Sequence, residues 1–216
     1  MLILAATPLG NPLDASESLK EAIRNAKFIA AEDSRKFSRL CSDIGVTYNA
    51  KIISFFEGNE TERLGELTEI LKSGSDLLVV TDAGMPGVSD PGYRLVRAAV
   101  DNQILVKVIP GPSAVTTALL LSGMPTDRFC FEGFLPLKKG RQSLLKKLAT
   151  EVRTLIFYES PQRLVKTLEE FCTYFGEDRD CSVSRELTKR FEENYRGTLR
   201  ECVNYFSSKT IKGEIV

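Results

Sequence analysis

The sequence predicts an α/β fold, with a mostly parallel sheet in the N-terminal half and a mixed α/β arrangement in the C-terminal half. Three observations lead there. Short β-type runs alternate with helical patterns up to residue 109. Glycine- and proline-rich loops follow directly on several of those runs. A Pro-Gly-Pro at 110–112 then separates this regular half from one with uneven spacing. Strands separated by helices of two to three turns indicate parallel βαβ units, and hence an open α/β sheet.

The elements follow in order. Leu2-Ile3-Leu4-Ala5 reads as a buried strand, 15–26 as a helix opened by polar residues and 28–31 as a second strand. Residues 34–44 place Phe37, Leu40, Cys41 and Ile44 on one helical face and stop at Gly45. A third strand is expected at 52–55, then a helix over 60–71 with Leu64, Leu67, Ile70 and Leu71 on one side and Gly74 beyond its end. Strands at 77–81 and 105–109 flank a helix at 92–100. Beyond Pro-Gly-Pro come a helix at 113–121, strands at 129–134, 154–158 and 182–185, and helices at 142–149 and 163–175. A further strand at 190–196, open to hairpin pairing, precedes a last helix at 197–206, and Ile215-Val216 reads as the start of another strand. The domains expected are 1–111, an α/β domain carrying ligand loops, and 112–216, a mixed α+β domain.

Composition removes several kinds of chemistry. The 216 residues contain no histidine, which excludes a Ser-His-Asp triad, a His-Cys dyad and an imidazole base. The five cysteines are scattered without a C-x-x-C pair, so neither a disulfide framework nor a thiolate metal site is expected. Lys+Arg and Asp+Glu are equal at 29, with net charge −3 over 1–112 and +3 over 113–216, so a polyanionic partner must be sought in a local patch. No apolar run approaches the roughly 18 residues of a membrane span, and Met1 leads into a strand without a basic leader; a soluble cytoplasmic protein is expected.

Three loops after strands carry the functional signal. Thr7-Pro8-Leu9-Gly10-Asn11 is neither a G-x-G-x-x-G fingerprint nor a P-loop, and by itself fits a plain turn. Residues 81–93, TDAGMPGVSDPGY, hold three glycines, two prolines and two aspartates. That is more than a connector needs, although Ser89 or Asp90 would serve as a helix cap. Pro110-Gly111-Pro112-Ser113-Ala114 opens a helix whose first N–H groups are free for ligand oxygens, with Ser113 either cap or contact. In an open parallel sheet these loops share one edge, where ligands bind. Glu32, Asp33 and Arg35 follow the second strand; Glu57, Asn59 and Glu60 follow the third, with Asn59 a candidate cap. With histidine absent, a proton acceptor must be a carboxylate, a neutral lysine or water. Asp33 and Arg35 are the leading candidates for positioning a substrate, with Glu60 behind them. Lys138, Lys139, Arg141, Lys146 and Lys147 lie in a stretch, 133–150, without an acidic residue, which suits phosphate contacts or a solvated face.

Together with Ala31-Glu32-Asp33-Ser34-Arg35, Phe131-Glu132-Gly133-Phe134-Leu135-Pro136, Tyr158-Glu159-Ser160-Pro161-Gln162-Arg163 and Arg185-Glu186-Leu187-Thr188-Lys189, these loops resemble, in order and over nearly the whole chain, the ribosomal-RNA branch of the tetrapyrrole methylase superfamily. The resemblance implies a two-domain tetrapyrrole-methylase-like fold and S-adenosylmethionine as methyl donor. It also implies 2′-O-methylation of a cytidine near the decoding centre of the small ribosomal subunit, and a homodimer. Carried onto this chain, it assigns donor contacts to Pro8, Leu9, Gly10, Asp82, Ala83, Gly84, Met85, Ser89, Asp90, Pro110, Ser113, Ala114 and Tyr158. It strengthens RNA contact for Lys138, Lys139 and Arg141 and adds Arg163 and Lys189. The chain departs from the family's pattern at Ser54-Phe55-Phe56-Glu57 and at Gln162, where a histidine is often found. A methyltransferase acting on a tetrapyrrole carbon and a catalytically silent RNA-binding module are the alternative expectations.

Overall fold

The strands of the N-terminal half are only four residues long, yet each carries apolar side chains on both of its faces, and this dictates a sheet covered on both sides. The computed structural model describes Met1–Val216 and divides into two units, Met1–Ser113 and Ala114–Val216. In the first, β1 (Leu2–Ala5), β2 (Phe28–Ala31), β3 (Lys51–Ser54), β4 (Leu77–Val80) and β5 (Val106–Ile109) form a single parallel sheet in the order β3-β2-β4-β1-β5.

Period-two alternation sorts the strand residues between two cores. Ala5, Ile29, Ala31, Leu78 and Val80 pack with Leu19 and Ile23 of α1 (Glu17–Asn25) and with Phe37 and Cys41 of α2 (Ser34–Asp43). Leu2, Leu4, Ala30, Leu77 and Val79 pack on the other face with Leu67 and Leu71 of α3 (Glu60–Lys72) and with Leu95 and Ala99 of α4 (Tyr93–Asp101). The helices start where side chains can take the free N–H groups: Ser16 caps α1 through Leu19 N–H, and Asp33 caps α2 through Arg35 and Lys36 N–H.

Two local expectations change. Asn59 occupies the cap position of α3, but its amide instead closes the preceding turn, accepting from Phe56 N–H at 2.8 Å and donating to the Ser54 carbonyl at 3.0 Å. Neither Ser89 nor Asp90 is the cap of α4. Gly92 is, at φ 139, a backbone conformation that a side chain would strain.

The second unit holds α5 (Ala114–Ser122), a parallel pair of β6 (Phe129–Phe134) and β7 (Thr154–Tyr158), and an antiparallel pair of β8 (Asp180–Arg185) and β9 (Glu193–Thr198). Helices α6 (Arg141–Leu148), α7 (Leu164–Phe175) and α8 (Leu199–Ser207) complete it. Strand β9 starts later than the expected 190, after a turn in which Thr188 has φ 62, and runs on to Thr198, where a capping box with Glu201 opens α8. The core is formed by Leu145, Leu164, Leu168, Phe171, Val183, Leu199, Val203 and Phe206. All five cysteines are free. No helix is long and apolar enough to cross a membrane.

Candidate active site at the carboxyl edge of the parallel sheet

The strand order creates a crevice. Connections leaving β1 and β2 pass over the face covered by α1 and α2, whereas those leaving β3 and β4 pass over the face covered by α3 and α4. At the adjacent strands β1 and β4 the outgoing loops therefore diverge to opposite faces, which is the switch point where open α/β sheets hold ligands.

The diverging loops are cross-braced. Thr7 N–H donates to the Gly84 carbonyl at 2.9 Å and Gly84 N–H returns to the Thr7 carbonyl at 3.1 Å, while Thr7 Oγ1, fully buried, donates to the Thr81 carbonyl at 3.1 Å. Gly84 has φ 83, and a Cβ there would lie 3.3 Å from Leu9 Cδ2 and 3.8 Å from the Pro112 carbonyl oxygen, so three loops converge on one glycine. Pro8, Leu9 and Pro86 are buried walls of this junction, whereas Gly10, Gly87, Ser89 and Pro110 are exposed and Ala83, Met85, Asp90 and Ser113 half-buried. Thr81 Oγ1 is buried with no hydrogen-bond partner.

Carboxylates tie in the remaining loops. Glu32, after β2, accepts from Asp82 N–H at 3.2 Å, and Lys36 of α2 pairs with the Asp82 carboxylate at 2.7 Å. Glu60, at the start of α3, accepts from Gly92 N–H at 3.0 Å. The structure thus places Glu60 as a brace on the N-terminus of α4.

The acids after β2 differ in their proton chemistry. Side-chain hydrogen bonds from Arg35, with further bonds from the Arg35 and Lys36 N–H groups, hold Asp33 down to about 2. Burial pushes the Glu32 carboxyl above its ordinary value, against the hydrogen bond from Asp82 N–H. Asp33 and Arg35 are therefore mutually engaged, and Glu32 is the better proton acceptor of the pair. Lys36 reaches Asp82 across 46 residues of sequence, so no local pattern marks it.

Glycine-rich backbone with Asp82 and Glu32 suits a cationic ligand bearing hydroxyls, such as the sulfonium, ammonium and ribose groups of S-adenosylmethionine. It does not suit a polyphosphate, because Arg35 and Lys36 are each already paired with a carboxylate.

In the second unit, Ala114 is the first residue of α5, and Tyr158, closing β7, packs against Phe131 and Phe134. Lys138, Lys139, Lys146 and Lys147 are exposed. Arg141 is not: it is 8% exposed, donates to Glu170 at 2.7 Å, to Thr167 Oγ1 at 2.8 Å and to the Pro136 carbonyl at 3.2 Å, so its guanidinium is engaged within the protein. Arg163 is likewise committed to Glu159 at 2.7 Å, and Lys189 to Glu186 and Glu214 at 3.1 and 2.8 Å. Burial pushes Glu159 up, but the hydrogen bonds from Arg163 and Thr167 prevail and hold it below its ordinary value.

Residues 1–203 match the tetrapyrrole (corrin/porphyrin) methylases. Solved structures agree on the fold: diphthine synthase superposes with a TM-score of 0.74 at 16% identity, covering 100% of this chain and 89% of that one. Uroporphyrin III C-methyltransferase from Thermus thermophilus gives 0.69 at 17%, covering 99% and 94%. At higher identity the chain is similar to ribosomal RNA small subunit methyltransferase I of Mycobacterium tuberculosis, 44% over 215 residues, covering 99% of this chain and 75% of the relative. The protein of the same name from Thermotoga maritima is 41% identical over 214 residues, covering 99% and 95%. The chain belongs to the tetrapyrrole methylases and, within them, to the family of ribosomal RNA small subunit methyltransferase I.

Truncating Arg141 tests its reassignment. Arg141→Ala leaves Glu170 and Thr167 facing a vacated, largely buried site, and urea denaturation is expected to show a loss of about 3–5 kcal/mol. Unchanged stability would return Arg141 to the surface.

Proposed function

We propose that this chain transfers a methyl group from S-adenosylmethionine to the 2′-hydroxyl of a cytidine in small-subunit ribosomal RNA, near the decoding centre. The observation that supports this reading best is the convergence of the resemblance-bearing loops, 7–11, 31–35, 82–93 and 110–113, on one braced sheet edge. When bound, S-adenosylmethionine supplies a methyl group on a sulfonium that already carries its leaving group. Pro8, Leu9, Gly10, Asp82, Ala83, Gly84, Met85, Ser89, Asp90, Pro110 and Ser113 are the residues of the first unit that would hold it. Their work is alignment and exclusion of water, which lowers the barrier without a covalent intermediate.

The hydroxyl proton needs an acceptor. Glu32 takes that role in this reading, because its carboxyl is raised while that of Asp33 is held near 2. Asp33 then orders Arg35 and the start of α2. Exposed Lys138, Lys139, Lys146 and Lys147 supply phosphate contacts that position the RNA without selecting the reacting ribose. The active form in this reading is a homodimer, and a single monomer mass by sedimentation equilibrium at micromolar concentration would contradict that part.

The deciding assay incubates the protein with labelled donor and undermethylated small subunits and maps the label. Asp82→Ala is expected to weaken donor binding clearly by titration calorimetry. Glu32→Gln, which keeps an acceptor for Asp82 N–H, should retain donor affinity and lose about 100-fold or more in turnover. Asp33→Asn should lose far less, and equal losses would remove Glu32 from the chemistry. Replacing Lys138 and Lys139 with Ala should flatten the log–log salt dependence of subunit binding by up to about 2 units with donor affinity unchanged. An unaltered slope would leave these lysines as a solvated face.

A further inference from the structure

Two phenylalanines follow β3, and they part company. Phe55 is 1% exposed and lies in the core with Leu67 and Leu71 of α3, whereas Phe56 is 43% exposed. The turn that presents Phe56 is fixed at several points. Phe56 N–H donates to Asn59 Oδ1 at 2.8 Å, the Phe56 carbonyl accepts from Asn59 N–H at 3.0 Å, and Asn59 Nδ2 donates to the Ser54 carbonyl at 3.0 Å. Glu60, accepting from Gly92 N–H, and Arg94, donating to Thr61 Oγ1 at 2.7 Å, fasten the end of this turn to the start of α4.

Gly58 makes room for the ring. A Cβ there would lie 2.7 Å from Phe56 Cε2 and 3.3 Å from Cδ2, closer than carbon atoms pack. Gly58 does not have the positive φ of Gly84 or Gly92, so it is the ring and not the backbone angle that keeps a side chain out. A glycine without such an angle leaves the unfolded chain freer than alanine would and weakens the fold. One edge of the ring is thereby seated on backbone while the rest faces solvent, and stability is given up for a fixed, exposed aromatic surface.

That surface stands at the ligand edge of the first unit. Ala31 pairs with Ser54, and Phe55 N–H donates to the Ala31 carbonyl at 2.9 Å. Continuing this register puts Phe55 beside Glu32 and Phe56 one residue further out, on strands roughly 4.8 Å apart. In a nucleotide, the base is joined to the carbon next to the one bearing the 2′-hydroxyl. A ribose with that hydroxyl at Glu32 therefore brings its base to the level of Phe56, and bases taken out of a helix are held by stacking on aromatic faces.

We propose that Phe56, seated on Gly58, is the platform on which the base of the reacting nucleotide stacks, a positioning residue for the methyl acceptor. This rests on the reading of RNA as substrate and Glu32 as proton acceptor. Every base has a stacking face, so the ring supplies affinity and orientation without selecting cytidine.

The test is the steady-state kinetics of methyl transfer to undermethylated small subunits. Phe56→Ala is expected to lower kcat/KM for the subunit by about tenfold or more, with donor affinity by calorimetry and the salt slope of subunit binding both unchanged, since no charge is removed. Phe56→Trp should retain transfer and Phe56→Leu should not. Gly58→Ala, which displaces the ring without removing it, should lower kcat/KM as well while leaving the urea midpoint unchanged or higher; full transfer by this variant overturns the seat. Full activity in Phe56→Ala, or weakened donor binding, overturns the platform. Phe56→Leu as active as the unaltered protein marks a plain apolar contact, such as one to a ribosomal protein, and also overturns it. Should Phe56→Ala not fold, the Trp and Leu variants decide alone. Absence of transfer by the unaltered protein overturns the substrate reading and the platform together, whereas transfer that is intact and insensitive to position 56 overturns the platform only.

Discussion

Two backbone hydrogen bonds between Thr7 and Gly84 are the constraint on which the candidate site depends. At a switch point the chain leaves adjacent strands toward opposite faces, so nothing in the sheet itself keeps the two loops together. The Thr7–Gly84 bridge supplies that connection, and it requires a residue without a side chain at Gly84, where φ is positive and Leu9 and the Pro112 carbonyl close in. The loops after β2 and β3 then attach to the same segment through its backbone, at Asp82 N–H and Gly92 N–H. One long loop is thus hydrogen-bonded to the loops after β1, β2 and β3.

The carboxylates around this junction divide the labour by environment. Glu60 accepts from the first turn of α4, and Asp33 accepts from the first turn of α2 and from Arg35. Glu32 is partly buried and accepts from Asp82 N–H, and burial raises its carboxyl above its ordinary value.

Much of this was legible in the sequence. The apolar strand runs, the stop glycines and the loop compositions marked every strand and α-helix of the first unit, because each is a local pattern, but not the 3₁₀ turn at Pro12–Asp14. The family resemblance and the sheet-edge argument pointed to the same loops. What was not legible depended on contacts between distant segments. Arg141 sits among lysines in a segment free of acids, and nothing local reveals that Glu170 and Thr167 of α7 enclose it. Arg163 pairs with Glu159 four residues before it, whereas Lys189 pairs both with Glu186 three residues before it and with the distant Glu214. The cap of α4 was misplaced because Gly92 starts the helix by its backbone angle, with a partner, Glu60, 32 residues away.

The strand order also bears on how the polypeptide reaches this state. Strand β1 has no neighbour in the sheet until Leu77 to Val79 and then Val106 to Ile109 are available. At about 5–20 residues per second, some 75 residues of synthesis separate β1 from its first partner, a delay of roughly 4–15 s. Throughout that interval Leu2-Ile3-Leu4-Ala5 is an apolar segment with open backbone edges at the emerging end of the nascent chain. Helix α1 and its cap at Ser16 form from local contacts well before then, and their apolar face at Leu19 and Ile23 is the first cover the segment can find. Strand β1, which lies between β4 and β5, therefore waits longer for its first partner than β2 waits for β3, and the burden of keeping it from other chains falls on the first helix.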